Sequence, residues 1–471
     1  MRHPRRPRAA FALLFGAACA CASAAPASAE PASDARVSDA RAFDALFKRL
    51  DLGEIFRLDA AGTEAALVRL ERALPAGDAH RALLARSLRC NWGFRDDARA
   101  QRASAEAGLR DARAAGDDEA LVRFLYCRAG AREQLETALQ ALPDYDEGIA
   151  RSRRMESDRL LADGLVARGN VQSLLGEQGR AVVDFLAAQG LYERTGLHDD
   201  AESNLLNLAI AYRRMGDGGK ALEYLRQNEA FAAREQDWNG LLVNLMQQAY
   251  LAEDGGRAGA ALALYARVLD MARAQSSPYD MGAAHLGMAL PHILEHRYGR
   301  ALQVLDQAQA EFAAVGDASN QEMIDLRRGQ ALAGLGRHAT ALANYDRAAA
   351  SFGRGANLRY LAMLYQARAA SHEALGQPGA ALADLRRYIG ARETLAEGNR
   401  SQQAEVLRFQ FDTARRDLEN HRLVAEKALH ERQLDALLKA RRWQWIALSL
   451  GGLLSTLLGA LVVRQLVRMR R

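Results

Sequence analysis

Apolar side chains recur along this chain at helical spacing, three and four positions apart, with polar residues between them. A longer period is superimposed on this spacing, because six alanines stand forty residues apart, at Ala181, Ala221, Ala261, Ala301, Ala341 and Ala381. A propeller blade also has a period near forty, but its strands would require apolar residues at every second position. The pattern therefore predicts an all-α array of repeated helices.

Other positions in each unit also hold one type of side chain. Twelve residues before the alanine the side chain is always small: Gly169, Ala209, Ala249, Ala289, Gly329 and Ala369. Five before it is a glycine, which favours the left-handed turn at the end of a helix, except at His296: Gly176, Gly216, Gly256, Gly336 and Gly376. Four after it the residue is bulky: Phe185, Leu225, Tyr265, Leu305, Tyr345 and Leu385. Each unit is predicted to be two closely packed antiparallel helices.

This order of small, glycine, alanine and large positions resembles the tetratricopeptide repeat rather than the HEAT repeat, over residues 160–396. The resemblance implies a solenoid whose concave surface binds peptides or extended protein segments. By analogy with that inner face, the candidate binding residues are Asn170, Asn207, Arg213, Gln247, Tyr250 and Gln330. The usual unit has about 34 residues. We expect the additional residues in lengthened second helices and in polar connectors at 234–240, 275–280 and 316–321.

Residues 30–159 are helix-like, but their repeat register is degenerate. We interpret them as two or three diverged repeats that cap the array, because a terminal unit must present a polar outer face. Cys90 and Cys127 are the only cysteines after residue 29. They could form a disulfide in an oxidising compartment, or they could be two buried thiols, and their spacing does not decide.

The two ends of the chain predict where it is located. Residues 2–8 contain four arginines and no acid, 9–22 are apolar, and small residues follow, which is typical of a secretory signal peptide over 1–29. Residues 443–463 contain no charge over 21 positions, enough for one transmembrane helix. The predicted protein is a single-pass protein of a bacterial inner membrane, with most of the chain in the periplasm and the basic tail 464–471 in the cytoplasm.

The basic charge follows from this topology. The formal net charge is +5, but the predicted leader and the tail carry four arginines each, which leaves −3 for residues 30–463. No basic stripe with interleaved aromatic residues is present in the array. The sequence therefore does not predict a nucleic-acid partner.

Residues 397–442 form a charged segment, predicted to be one helix that continues into the span. Apolar residues in it keep a heptad spacing: Leu407, Phe411, Ala414, Leu418, His421, Ala425 and Ala428. This spacing favours a parallel coiled coil and a homodimer. Small residues at Gly451, Ser455 and Gly459 could pack against a second copy within the membrane. The alternative is a single solvated helix that lies along the repeats.

One motif could carry chemistry. The run from His292 to His296, His-Ile-Leu-Glu-His, matches the inverted zinc-protease motif, and Glu373 lies at a downstream separation similar to that of the third ligand in pitrilysin-type enzymes. His292 and Glu373 belong to units two apart, however, and packed helices are roughly 8–10 Å apart. Zinc proteolysis is thus a remote alternative, and we expect no metal and no other cofactor. No phosphate-binding loop or nucleophile elbow is found, so the chain is not predicted to be an enzyme.

The order of leader, repeat array, charged helix, span and terminal arginines resembles the input half of membrane-bound GGDEF diguanylate cyclases that have periplasmic tetratricopeptide sensors. The segment Phe411-Asp-Thr-Ala-Arg-Arg-Asp-Leu-Glu-Asn is part of that resemblance. The GGDEF motif and its metal-binding carboxylates are missing from this sequence, so no catalytic residue carries over. The resemblance implies a sensor that binds a peptide or protein. The alternative is a stand-alone periplasmic scaffold.

Overall fold

The computed structural model describes residues 40–94, 97–355 and 358–469, and these residues form helices and turns without a strand. The predicted signal peptide 1–29 lies outside the described residues. One short 3₁₀ helix spans Glu54–Arg57. The α-helices are α1 Ala40–Asp51, α2 Ala60–Arg72, α3 Ala79–Trp92, α4 Ala98–Ala115, α5 Asp118–Leu135, α6 Ala138–Arg154, α7 Asp158–Leu174, α8 Gln178–Thr195, α9 His198–Met215, α10 Gly218–Arg234, α11 Trp238–Asp254, α12 Ala258–Ala274, α13 Pro278–Leu294, α14 Tyr298–Ala314, α15 Gln321–Gly334, α16 His338–Gly355, α17 Leu358–Ala374 and α18 Pro378–Met469. The all-α solenoid predicted from the sequence is confirmed.

The helices follow a regular half-period. From α4 to α18 a helix begins at every twentieth residue, except that α15 begins at Gln321. The additional residues are shared by both helices of a unit and are not confined to the second helix, because α10 and α11 both have 17 residues and a connector of three residues joins them. Half of a 34-residue unit is about 17 residues, so each half here gains nearly one helical turn.

The repeated positions meet inside each unit. The first five of the six alanines are completely buried, and the bulky side chain four residues later is buried with them. In the units that begin at α7 and α15, the ring of Phe185 lies against Gly169 and the ring of Tyr345 against Gly329. Leu385 differs, with 41% of its surface exposed, because α18 is the last helix of the array.

The predicted turns have left-handed backbone. Gly176 and its four repeat equivalents have φ between 68° and 88°. His296, the exception in the sequence pattern, also adopts this conformation with φ 58°. A side chain with a Cβ is strained there, so the turn is imposed by the helices on both sides of it.

The forty-residue register begins one unit earlier than the sequence pattern indicated. In the pair α5 and α6, Ala129, Ala141 and Tyr145 are buried at the positions of Gly169, Ala181 and Phe185. This unit escaped notice because Glu136 replaces the turn glycine. Of the two alternatives for Cys90 and Cys127, the structure has the disulfide, which joins α3 to α5 with Cα atoms 6.0 Å apart.

The chain forms two compact units, which divide between Val406 and Leu407. Helix α18 begins in the last repeat, so the predicted linker at 397–442 is not a separate helix. In the second unit the heptad residues Leu407, Phe411 and Leu418 expose 63%, 69% and 73% of their surface. This unit also contains the one stretch of the described residues that is long and apolar enough to cross a membrane, with a mean hydropathy of 2.2.

Candidate functional site

The first helix of each pair lines the concave side of the array. Consecutive odd-numbered helices contact one another along the array, from α5 through to α17. Helices that contact the equivalent helix of the next unit lie on the inside of a superhelix, where the path is shortest. Side chains on the inner face of these helices therefore form the surface on which an extended partner would lie.

Three of the candidate binding residues meet on this surface. Arg213 Nε donates a hydrogen bond to Gln247 Oε1 at 3.1 Å, and its guanidinium lies 5.2 Å from the centre of the Tyr250 ring. Its Nη1 is 3.2 Å from Asp254 Oδ2. The other carboxylate oxygen of Asp254 accepts from Arg359 Nη2 at 2.8 Å, although the two residues are 105 positions apart. These contacts connect α9, α11 and α17 across the groove.

A fourth candidate, Gln330, belongs to an adjoining group on α15. Its Oε1 accepts a hydrogen bond from Arg327 Nη1 at 2.9 Å, and Arg327 is only 7% exposed. Glu253 on α11 interacts electrostatically with Arg327 and accepts from the hydroxyl of Tyr265 at 2.9 Å. Arg327 is thus a buried cation and Glu253 a half-buried carboxyl group at one place on the concave surface.

Burial changes the ionisation of both groups. It raises the pKa of the Glu253 carboxyl to about 7, against the weaker opposing effects of Arg327 and Tyr265. It also lowers the pKa of the Arg327 guanidinium below its ordinary value. Near neutral pH Glu253 is therefore only partly ionised, and it neutralises Arg327 incompletely.

The other two candidates are not part of this group. Asn170 is buried in α7, and Asn207 is half-buried in α9. Among the described residues, no hydrogen bond joins either amide to Arg213 or Arg327. Their role in binding remains a prediction.

Sequence reasoning missed Arg327, Glu253, Asp254 and Arg359, although the repeat register could have found the first two. Arg327 occupies the repeat position of Asn207 and Gln247, and Glu253 that of Arg213. Arg359 follows from no repeat position, because its contact with Asp254 depends on the superhelical path that brings α17 back to α11.

The histidine motif is divided by a helix end. His292 lies in α13, which ends at Leu294, and His296 lies in the left-handed turn and shares a hydrogen bond with the Tyr298 hydroxyl at 2.7 Å. His285 is paired instead with Glu311, at 2.7 Å. In the described part of the chain, no group of three histidine, cysteine, aspartate or glutamate side chains could hold a metal ion.

The first part of α18 also packs on the array. Gln402 accepts a hydrogen bond from the Gly179 amide at 3.2 Å and donates to the Gly176 carbonyl at 3.1 Å. Val406 is buried in the apolar cluster that contains Ala181 and Phe185. The C-terminal end of the first unit thus contacts a repeat more than 220 residues earlier. The first unit ends at Val406, and the exposed heptad positions begin at the next residue, Leu407.

Comparison with known proteins supports the architecture. No family model and no curated protein matches this chain. Solved structures do match it, among them a Rap protein complexed with competence and sporulation factor, at 14% identity over 76% of this chain and 99% of that chain, with a TM-score of 0.59. The Rap conjugation gene regulator of the plasmid pLS20, in complex with the Phr* peptide, matches at 12% identity over 76% and 96%, with a TM-score of 0.50.

A tetratricopeptide repeat protein from Parabacteroides merdae matches at 15% identity over 60% of this chain and 98% of that chain, with a TM-score of 0.41. The fold is tetratricopeptide-like. At these identities the likeness concerns the fold alone. No family model of an enzyme matches this chain.

Proposed function

We propose that this chain is a membrane-anchored tetratricopeptide-type sensor that binds a peptide or protein segment on its concave surface. The observation that carries the proposal is the group of Arg213, Gln247, Tyr250, Asp254 and Arg359, which presents charged, amide and aromatic groups from three helices on one inner surface. Aromatic rings and guanidinium groups are the side chains most used in protein recognition. The Rap regulator that this fold resembles was solved with a bound peptide.

We place this surface outside the cytoplasm, as the signal-peptide and span predictions require. The buried disulfide between Cys90 and Cys127 supports an oxidising compartment, because cytosolic proteins rarely keep such bonds. The exposed apolar stretch at 443–463 supplies the proposed inner-membrane anchor. The domains predicted from the sequence are part of the same proposal, except that the repeat array begins with the pair α5 and α6, and we propose no catalytic activity and no cofactor for this chain.

We infer further that the chain is the input part of a receptor of the diguanylate-cyclase type. Helix α18 supports this role, because a single helix includes the contacts of Gln402 and Val406 with the array, the heptad positions and the span. The occupant proposed for the exposed Leu407, Phe411 and Leu418 is a second copy of this chain, since their four-and-three spacing is that of a parallel dimer. A ligand that alters the array would then alter the dimer.

Site-specific photocrosslinking in intact cells tests the binding proposal. A benzoylphenylalanine at Tyr250 should give covalent adducts with a periplasmic peptide or protein. The same residue at Gln303, which is exposed on α14, should give none. Equal labelling at both positions, or none at Tyr250, would refute a ligand-binding concave surface.

Disulfide trapping tests the signalling proposal. Leu418→Cys should form a disulfide-linked dimer in membranes, whereas Glu419→Cys, one residue along and off the heptad seam, should not. The yield at Leu418 should change when the captured ligand is added. A yield that does not respond to the ligand would favour the stand-alone scaffold, and equal yields at both positions would exclude the parallel seam.

A further inference from the structure

Arg327 is more deeply buried than the paired arginines of the array, and it differs from them in its partner. Arg168 on α7 binds Asp184 on the next helix at 2.7 Å, and Arg368 on α17 likewise binds Asp384 on the next helix at 2.7 Å. Arg327 is 7% exposed, yet no carboxylate of the described residues lies within 4 Å of its nitrogens, and its hydrogen-bond acceptor is the neutral amide of Gln330. A buried charge without a counterion destabilises the folded chain, and an incoming anion would remove that cost.

The surroundings of Arg327 are deficient in negative charge. The titratable groups that act on Arg327 are Glu253 on α11, Tyr265 on α12, and Arg359 and Tyr360 on α17. Asp254 on α11 and Arg213 on α9 act in turn on Glu253. Asp254 is shared between Arg213 and Arg359. Three arginines therefore face two carboxyl groups, and one of these, Glu253, accepts a hydrogen bond from Tyr265 rather than from an arginine.

The chemistry of the lining selects among anions. A guanidinium presents two parallel N–H donors that match a carboxylate. Gln247 and Gln330 add amide groups suited to a peptide backbone, and the Tyr250 ring provides apolar area beside them. This combination fits a peptide that carries carboxylate side chains better than a free inorganic anion.

We propose that the concave surface between α9, α11, α15 and α17 binds an acidic peptide segment, with Arg327 as the buried contact for one carboxylate and Arg213 and Arg359 as contacts at its edge. This inference rests on the proposed peptide-binding function and gives the chemical class of the ligand. Glu253 competes with the peptide carboxylate for Arg327, because it is the carboxyl group whose charge acts on the Arg327 guanidinium.

The test is fluorescence anisotropy of the full chain in detergent micelles, with labelled hexaglutamate, hexalysine and a mixed neutral peptide as probes. Hexaglutamate should bind at least tenfold more tightly than hexalysine. Arg327→Gln should weaken hexaglutamate binding about tenfold or more. Arg328→Gln is the matched control, because Arg328 is the next residue on α15 and pairs with Asp306 at 2.7 Å; it should change binding less than twofold.

A gain of affinity separates binding from folding. Glu253→Gln removes the competing carboxylate, so it should strengthen hexaglutamate binding severalfold at pH 8 and hardly at all at pH 5.5. Misfolding of the variant would lower its affinity, so it cannot explain such a gain. Equal effects of Arg327→Gln and Arg328→Gln, or no gain with Glu253→Gln, would overturn the proposal.

Two further measurements identify the kind of anion and separate the acidic-ligand inference from the proposed peptide-binding function. Displacement of hexaglutamate by equimolar inorganic phosphate would show a small-anion site and refute the peptide assignment. If the neutral peptide binds and hexaglutamate does not, the acidic-ligand inference is wrong while the proposed function stands. If the crosslinker at Tyr250 also captures nothing, both fail.

Discussion

Gly329 lies directly against the ring of Tyr345, so closely that a Cβ at position 329 would come within 2.5 Å of the ring carbon Cε1. Gly329→Ala should therefore destabilise the array by about 1–3 kcal/mol, because the buried ring has to move. Gly390→Ala is the control, since Gly390 is also helical but has open space where its Cβ would lie. Thermal unfolding followed by circular dichroism should show a lower Tm for the first variant only. An unchanged Tm for Gly329→Ala would mean that the ring is not held against this position.

The turn residue His296 gives a second prediction. His296→Gly should raise stability by about 1 kcal/mol, because glycine adopts a positive φ without the steric cost that a Cβ imposes. His296→Val should lower stability. The hydrogen bond with Tyr298 opposes the gain, so Tyr298→Phe in the His296→Gly background should change nothing further. A lower Tm for His296→Gly would show that this bond outweighs the backbone strain.

The disulfide should contribute measurably to the N-terminal repeats. The bond between Cys90 and Cys127 closes a loop with a sequence separation of 37, and the chain-entropy model gives about 4 kcal/mol for a loop of that length. Cys90→Ser with Cys127→Ser should lower the Tm, and dithiothreitol should lower the Tm of the wild type but not that of the double variant. Equal Tm values for wild type with and without reductant would contradict the prediction.

Asp200 should make the array less stable as the pH rises. Burial, and next the neighbouring Asp163, raise the pKa of the Asp200 carboxyl from 3.8 to about 6. The folded state thus holds a proton that the unfolded state releases, and stability is lost as the pH rises from about 4 to about 6, by about 3 kcal/mol at most. Asp200→Asn should raise the Tm at pH 7.5 and hardly change it at pH 4.

Asp199→Asn is the matched control for Asp200, because Asp199 is the preceding residue on α9 and is exposed. It should reduce the pH dependence of the Tm only slightly, because the charge of Asp199 raises the pKa of Asp200 less than burial and Asp163 do. If Asp200→Asn raises the Tm equally at both pH values, removal of a titrating charge is not the cause.

The repeat geometry could be predicted from the sequence because it depends on local steric demands. Ala181 and its equivalents must be small where two helices touch, and Gly176 and its equivalents must turn left-handed. Such demands leave one residue type at a fixed spacing. The additional unit at Ala141 was missed because Glu136 stands where the other units have a glycine. This substitution removes a residue from the sequence pattern, but the unit still folds as the others do.

The candidate site could be predicted only in part. Arg213, Gln247, Tyr250 and Gln330 lie on the inner face because of their repeat positions, and the structure places them on or beside one group of charges. Their partners could not be foreseen. The contact of Asp254 with Arg359 spans 105 residues and depends on the small rotation that each unit adds to the last.

The sequence by itself determined the all-α repeat architecture, its forty-residue register and the apolar stretch that can cross a membrane, because each follows from the spacing of side chains along a helix. Only the tertiary structure decided that Arg327 is buried with no carboxylate of the described residues within 4 Å of its nitrogens. It also decided that Cys90 is bonded to Cys127 and that Gln402 is hydrogen-bonded to Gly179. These are contacts between distant parts of the chain, fixed by the curvature of the superhelix, which accumulates over many units and leaves no local signature in the residues themselves.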